Sequence, residues 1–198
     1  MQTLESAALA ESIISAACED SRVIDLFRGL ANSSFIRVIN YHNTSECNVA
    51  RLKKEIKMFG ECFSSTSIDD IDNFFENGKW CLDKPGLIPA VYEGWRNNYD
   101  VFLPLLDQAG FRGWFFIPSF FPDVDAAQQI GFAPMHGLRL SKLAKYKDGR
   151  VAVNWHEVRK IAVNHEICCH TGTHFRMNED TNDKTLQYEI IDAKARLE

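Results

Sequence analysis

Apolar and polar residues alternate along this chain with two different periods, and the switches between them mark its elements. Over residues 3–30, Leu4, Ala8, Ile13 and Ala17, then Val23, Leu26, Phe27 and Leu30, form a loose apolar face that predicts helix. Asp20 and Ser21 predict a break and a new N-cap inside it. Asn32-Ser33-Ser34 predicts a turn, and the β-branched and aromatic run over 35–41 predicts a first strand. Residues 48–59 put Val49, Leu52, Ile56 and Phe59 on one helical face. Ser67-Ile68-Asp69-Asp70 has the form of a capping box, so a helix should run to about Glu76 and stop at Asn77-Gly78.

Beyond the Pro85-Gly86 turn, residues 87–92 predict a second strand. Residues 96–109 predict a helix ended by Gly110, and residues 114–117 a third strand. Residues 118–150 hold Pro118, Pro122 and Pro134 and predict a long loop with short helices. A helix over 153–163, a fourth strand over 166–169 and a last helix over 183–198 complete the pattern. Strands that alternate with helices pair in parallel through right-handed crossovers. The expected fold class is therefore α/β, with about four parallel strands and helices outside them.

Composition narrows the functional classes. The chain has 198 residues, 45% apolar and 25% charged, which is the balance of a globular domain. A net charge of −5 speaks against sequence-independent nucleic-acid binding, which needs a basic face to replace phosphate counterions. The 14 phenylalanines are first of all core and strand packing, and secondly a wall on which a sugar ring could lie. The six cysteines contain no C-x-x-C pair, so no zinc-finger spacing is present. Glu5 and Glu11 and the lack of a basic n-region make the N-terminus a helix and not a signal peptide. No run approaches the roughly 18–20 apolar residues of a membrane span. A cytoplasmic location is expected, with an exported precursor that has lost its signal as the alternative.

The segment His170-Thr171-Gly172-Thr173-His174 carries the chemistry. Two histidines four apart, directly after a strand, can aim both imidazoles at one point. Imidazole ligates zinc, cobalt, nickel and iron, and α/β folds place ligands at the C-terminal ends of their strands. Glu93 ends the neighbouring predicted strand on the same rim. One carboxylate and two histidines with open positions left for water and substrate is the layout of a hydrolytic metal site. His165 is expected to fix the turn before the fourth strand, and His136 to lie exposed in the irregular loop.

Several motifs together resemble the polysaccharide deacetylase family, the NodB-like carbohydrate esterases. In that family a strand ends in Thr-Phe-Asp-Asp-Gly, and a later segment reads Gly-His-Glu-Ile-Gly-Ser-His-Thr-x-x-His. Here the first place reads Ala90-Val91-Tyr92-Glu93-Gly94-Trp95, followed by Pro104-Leu105-Leu106. The second reads Asn164-His165-Glu166-Ile167-Cys168-Cys169-His170-Thr171-Gly172-Thr173-His174. Upstream, Arg37-Val38-Ile39-Asn40-Tyr41-His42 is similar to the Tyr-His strand of one large subgroup. Trp155, Glu157, Val158 and Arg159 are similar to the helix before the histidine motif. The resemblance spans residues 35–198 and implies a partial or distorted (β/α) barrel, with residues 1–34 as an N-terminal helical extension.

The resemblance also implies roles. Glu93, His170 and His174 would hold a divalent metal, zinc first and cobalt or nickel as alternatives. Tyr92 stands where the family's general base, an aspartate, should be. A tyrosine at its reference pKa of about 10 is a poor base at neutral pH. Loss of a general base typically costs ~100- to 10,000-fold in rate. Glu93 is then the alternative base, and Trp95, Arg96 and Asn97 would line a sugar site. The implied function is hydrolysis of the C–N amide bond of N-acetylated sugars, weakened or lost by Tyr92. The alternatives are a carbohydrate-binding or structural descendant without catalysis, and a hydrolase of a small-molecule C–N bond. The family's later motifs, an Arg-Pro-Tyr-like loop and a strand with an acid histidine, have no counterpart up to residue 198. About four strands are too few to close a barrel of about seven or eight. A bare sheet edge is a liability in water, so a homo-oligomer is expected if the chain is complete.

Overall fold

The structure is a computed structural model and describes residues 35–78, 81–140 and 148–198. The helices expected over 3–30, and the extension 1–34, lie outside the described residues.

Among the described residues, five strands form one parallel sheet. β1 (Ile36–Tyr41) lies beside β3 (Gly86–Tyr92), then come β4 (Trp114–Ile117) and β5 (Glu166–Cys169). β2 (Ser64–Ser65) is a two-residue strand that pairs with the start of β3. β1 follows β3 in register from Ile36 opposite Gly86 to Tyr41 opposite Val91. β2 and β4 therefore share the other edge of β3. Every pairing is parallel, so His42, the segment after Tyr92, Pro118 and His170 all emerge at one rim of the sheet. β3 is buried from Gly86 to Val91, as expected of a central strand covered on both faces. The sheet is open and does not close into a barrel among the described residues, where β1 and β5 form its outer edges.

The helices that cover the sheet follow local rules. α1 (Val49–Cys62) buries Leu52, Ile56 and Phe59, the stripe seen in the sequence, and runs three residues further than expected. α2 (Ile68–Asn77) begins on the expected capping box. The Ser67 hydroxyl accepts from the Asp70 amide, the Asp70 carboxylate accepts from the Ser67 amide, and Gly78 closes the helix at φ 65°. α3 (Leu103–Ala109) is preceded by a π-helical segment, Asn98–Phe102, where plain α-helix is expected. Leu52, Ile56, Leu87, Val91, Phe102, Leu106, Phe115 and Ile161 join in the main core.

Residues 118–150, expected as a loop with short helices, contain α4 (Ala126–Met135) and build a second core. Trp95, Phe121, Ala133, Leu138, Val151 and Ala152 pack together there. An antiparallel bridge joins Trp95 to Ala152. Gln129 is buried in this layer, and its side-chain oxygen accepts from the amides of Val151 and Ala152 at 2.7 and 2.9 Å. α5 (Trp155–Ile161) opens on a second capping box, Asn154 with Glu157, and Arg150 grips the Glu157 carboxylate at 2.6 and 2.7 Å. The last helix starts as α6 (Asp183–Leu186), passes through a π-helical segment, Gln187–Asp192, and ends as α7 (Ala193–Ala195). No helix among the described residues is long and apolar enough to cross a membrane.

Candidate functional site

Three non-glycine residues among those described have positive φ: Glu93 at 74°, Thr171 at 61° and His174 at 64°. All three lie in the segments that follow β3 and β5. The left-handed conformation costs an ordinary residue ~1–2 kcal/mol. Such strain clusters where the surrounding structure needs a particular side-chain direction.

After β5 the chain turns so that the rings of His170 and His174 lie 4.9 Å apart between centroids. His174 Nδ1 donates to the backbone carbonyl of His136 at 2.8 Å, which fixes the tautomer and leaves Nε2 as the free lone pair. His136 thus reaches the site through its backbone, and its half-buried ring stacks on Phe132 at 4.1 Å, not in open solvent as expected. Burial pushes the His170 pKa down to about 4, helped by the nearby His174 and His42, so its imidazole is neutral. Neutral imidazoles are the form that ligates metals.

The end of β3 is aromatic. The Tyr92 ring stacks on His42 at 5.2 Å and on Phe116 at 4.8 Å, and meets the edge of His170 at 5.2 Å. Tyr92, His42, His170 and His174 therefore come together at the rim. Asn98 ties the first two strand ends to one another. Its side-chain amide donates to the carbonyls of His42 and Tyr92 at 3.3 and 3.2 Å, and its oxygen accepts from the Thr44 hydroxyl at 2.8 Å.

Glu93 is 6% exposed, and its Oε2 accepts from the Trp95 indole N–H at 2.6 Å. No group of three or more His, Cys, Asp or Glu side chains among the described residues is arranged to share a metal ion. Two imidazoles are donors of the type that zinc takes; Glu93, engaged with the indole, does not complete a three-donor set with them.

The other expected sugar contacts are engaged inside the fold. Trp95 is fully buried, with its ring edge-on to Phe121. Arg96 pairs with Asp148 at 2.8 Å and Asp100 at 3.2 Å. Asn97 is buried and donates to the Asn43 side chain. His165 behaves as expected: Nδ1 accepts from the Gly113 amide and Nε2 donates to Asp107, with its pKa lowered by burial. Cys168 and Cys169 do not bridge one another.

Glu189 escaped the sequence reading. It is 4% exposed, and its carboxylate accepts from the loop between the two histidines. The available signal was an acid in helical phase with Leu186 and Ala193, on the side of the last helix that turns inward.

No family model matches the sequence, and no curated protein matches it either. Solved structures do. The deacetylase PplD of Streptococcus pyogenes, in complex with acetate, aligns with a TM-score of 0.59 at 11% identity, over 83% of this chain and 67% of that one. IcaB from Ammonifex degensii aligns with a TM-score of 0.54 at 11% identity, over 83% of this chain and 69% of that one. The chain thus spans about two thirds of each of these two structures. Parallel strand order, a rim carrying paired histidines beside the end of β3, and these likenesses agree: the chain has the polysaccharide deacetylase fold in a divergent form.

Proposed function

We propose that this protein is a deacetylase-like hydrolase acting on the C–N amide bond of N-acetylated sugars, with a turnover reduced by its altered β3 end. The observation that carries the reading is the pairing of neutral His170 with tautomer-fixed His174 at the strand rim of a deacetylase fold. His170 and His174 would hold a divalent cation, zinc before cobalt or nickel, with Glu93 as third ligand once it leaves the indole. Such a cation supplies, when bound, Lewis-acid polarisation of an acetyl carbonyl.

The chain's own residues account for the reduced turnover. Glu93 cannot be a ligand, a base and the partner of Trp95 at once. Tyr92 puts a phenol where a carboxylate base is expected, and its ring is held between His42 and Phe116. The same stack favours a second reading, a carbohydrate-binding protein without catalysis, because a flat aromatic group at the rim suits the C–H face of a pyranose. A homo-oligomer would cover the outer edges of β1 and β5.

The test is to dialyse the purified protein against zinc, count bound metal by mass spectrometry, and measure acetate released from N-acetylglucosamine oligomers. About one zinc per chain, lost in His170→Ala and His174→Ala, together with slow acetate release, is the expected result. Zinc binding or sugar binding without acetate release would select the second reading. Neither metal nor acetate nor sugar binding would end both.

A further inference from the structure

The loop that carries the two histidines is held from behind by a single carboxylate. Glu189 Oε2 accepts from the amide of Gly172 at 2.9 Å and from that of Thr173 at 2.8 Å. Glu189 Oε1 accepts from the Thr173 hydroxyl at 2.7 Å. Two successive amides turned to one anion form a nest, and bonds to an ionised acceptor are shorter and stronger than neutral ones. The carboxylate arrives from a π-helical turn in the last helix. π-helical turns inside α-helices are frequent at functional sites.

Phe120 closes the loop from another side. A Cβ on Gly172 would meet the Phe120 ring at 2.3 Å, and that ring stacks on Tyr188, the neighbour of Glu189. The loop backbone is also laid along the segment after β4. Thr171 and Gly172 carbonyls accept from the amides of Ser119 and Phe120 at 3.1 and 2.9 Å. With Thr171 and His174 both left-handed, loop geometry is over-determined, and Glu189 is its only charged contact in the hydrogen bonds above.

We infer that Glu189 is a positioning residue, which acts through the Gly172 and Thr173 amides to set the directions of the His170 and His174 imidazoles. Its carboxylate is engaged by the loop's own amides and hydroxyl. The inference rests on the hydrolase reading only for what the imidazoles are positioned to do; the positioning itself is testable without any ligand.

The experiment compares wild type with E189A, E189Q and T173V in the full chain. Nitrogen-15 spectra report the Gly172 and Thr173 amides and the tautomer of His174. In the wild type the proton of His174 sits on Nδ1. E189A should move both amide resonances upfield and mix the two tautomers. E189Q keeps an oxygen for the two amides and should restore the wild-type tautomer, and T173V should fall between. Cobalt(II) alone is then titrated and its visible absorption followed. A loss of about 10- to 100-fold in affinity is expected for E189A, the scale seen when outer partners of ligands are removed, with partial recovery in E189Q.

Unchanged amides and an unchanged tautomer in folded E189A would overturn the inference. If E189A does not fold, T173V decides it: unchanged amides and an unchanged tautomer there would overturn the inference. If the wild type fails to bind cobalt, the metal reading falls, while the amides and the tautomer still judge Glu189.

Discussion

The segments after β3 and after β5 reach the same rim, both turn through left-handed residues, and both involve a buried carboxylate, yet they use it differently. After β5 the acid comes from a distant helix and binds backbone amides, which leaves the local side chains, His170 and His174, to face each other. After β3 the local side chain is itself the acid, and it binds an indole two residues away. One segment is supported from outside and keeps its chemistry available. The other is self-satisfied and has its chemistry occupied. Where a side chain stands on a strand end thus decides less than which neighbour satisfies it, because a buried charge without partners is expensive and will take the nearest donor.

The largest perturbation of this contrast is at Trp95. Trp95→Ala removes a fully buried aromatic and should cost ~3–5 kcal/mol, read as a lower urea midpoint. Trp95→Phe keeps an aromatic ring, though a smaller one, and drops the N–H; the carboxylate left unpaired should cost ~1–3 kcal/mol. The same variant frees Glu93, so zinc should bind more tightly than in the wild type. Unchanged zinc affinity would mean that the indole does not compete for the carboxylate.

A smaller effect should come from the supported segment. Gly172→Ala forces a methyl against Phe120 and should destabilise by ~1–3 kcal/mol in the same urea assay. Gly131→Ala in α4 is its contrast, since nothing lies within 4 Å of the added Cβ. It should stabilise by ~0.5–1 kcal/mol, the helix preference for alanine over glycine.

The remaining effect is on pH. The folded-state pKa of His170, about 4, lies below the unfolded value near 6.5, so the unfolded chain binds the extra proton first. His170 therefore costs nothing above about pH 6.5 and lowers stability progressively as pH falls from there towards 4. In chelator-treated protein, His170→Asn should show a shallower fall of melting temperature over that window. Equal slopes would mean that the ring is not desolvated.

Much of this was legible in the sequence. β1, β3, β4 and β5 were, because runs such as Leu87-Ile88 and Trp114-Phe115-Phe116-Ile117 suit a buried pleat and helix-forming stretches separate them. The helix start at Ser67 and its end at Gly78 were, because capping is local chemistry. So was the meeting of His170 with His174, since four residues on one turn is a short-range relation. What escaped depends on contacts between distant residues. β2 is two residues long and exists only through its pairing with β3. The second core needed Trp95 to meet Ala152 across an antiparallel bridge, and nothing in a proline-bearing stretch announces that. Glu93 was expected beside the histidines because its strand was read as the neighbour of theirs, but β4 lies between β3 and β5. Its positive φ and its bond to the Trp95 indole are not announced by any spacing. Glu189 lay 15 residues beyond His174, too far for any spacing rule.

The Asn98 amide has one more consequence, for binding. By holding the carbonyls that end β1 and β3 at once, it fixes the gap between the His42 and Tyr92 backbones. A ligand arriving at that mouth would meet a spacing already set by the described residues, so little backbone ordering would be lost on binding at this flank.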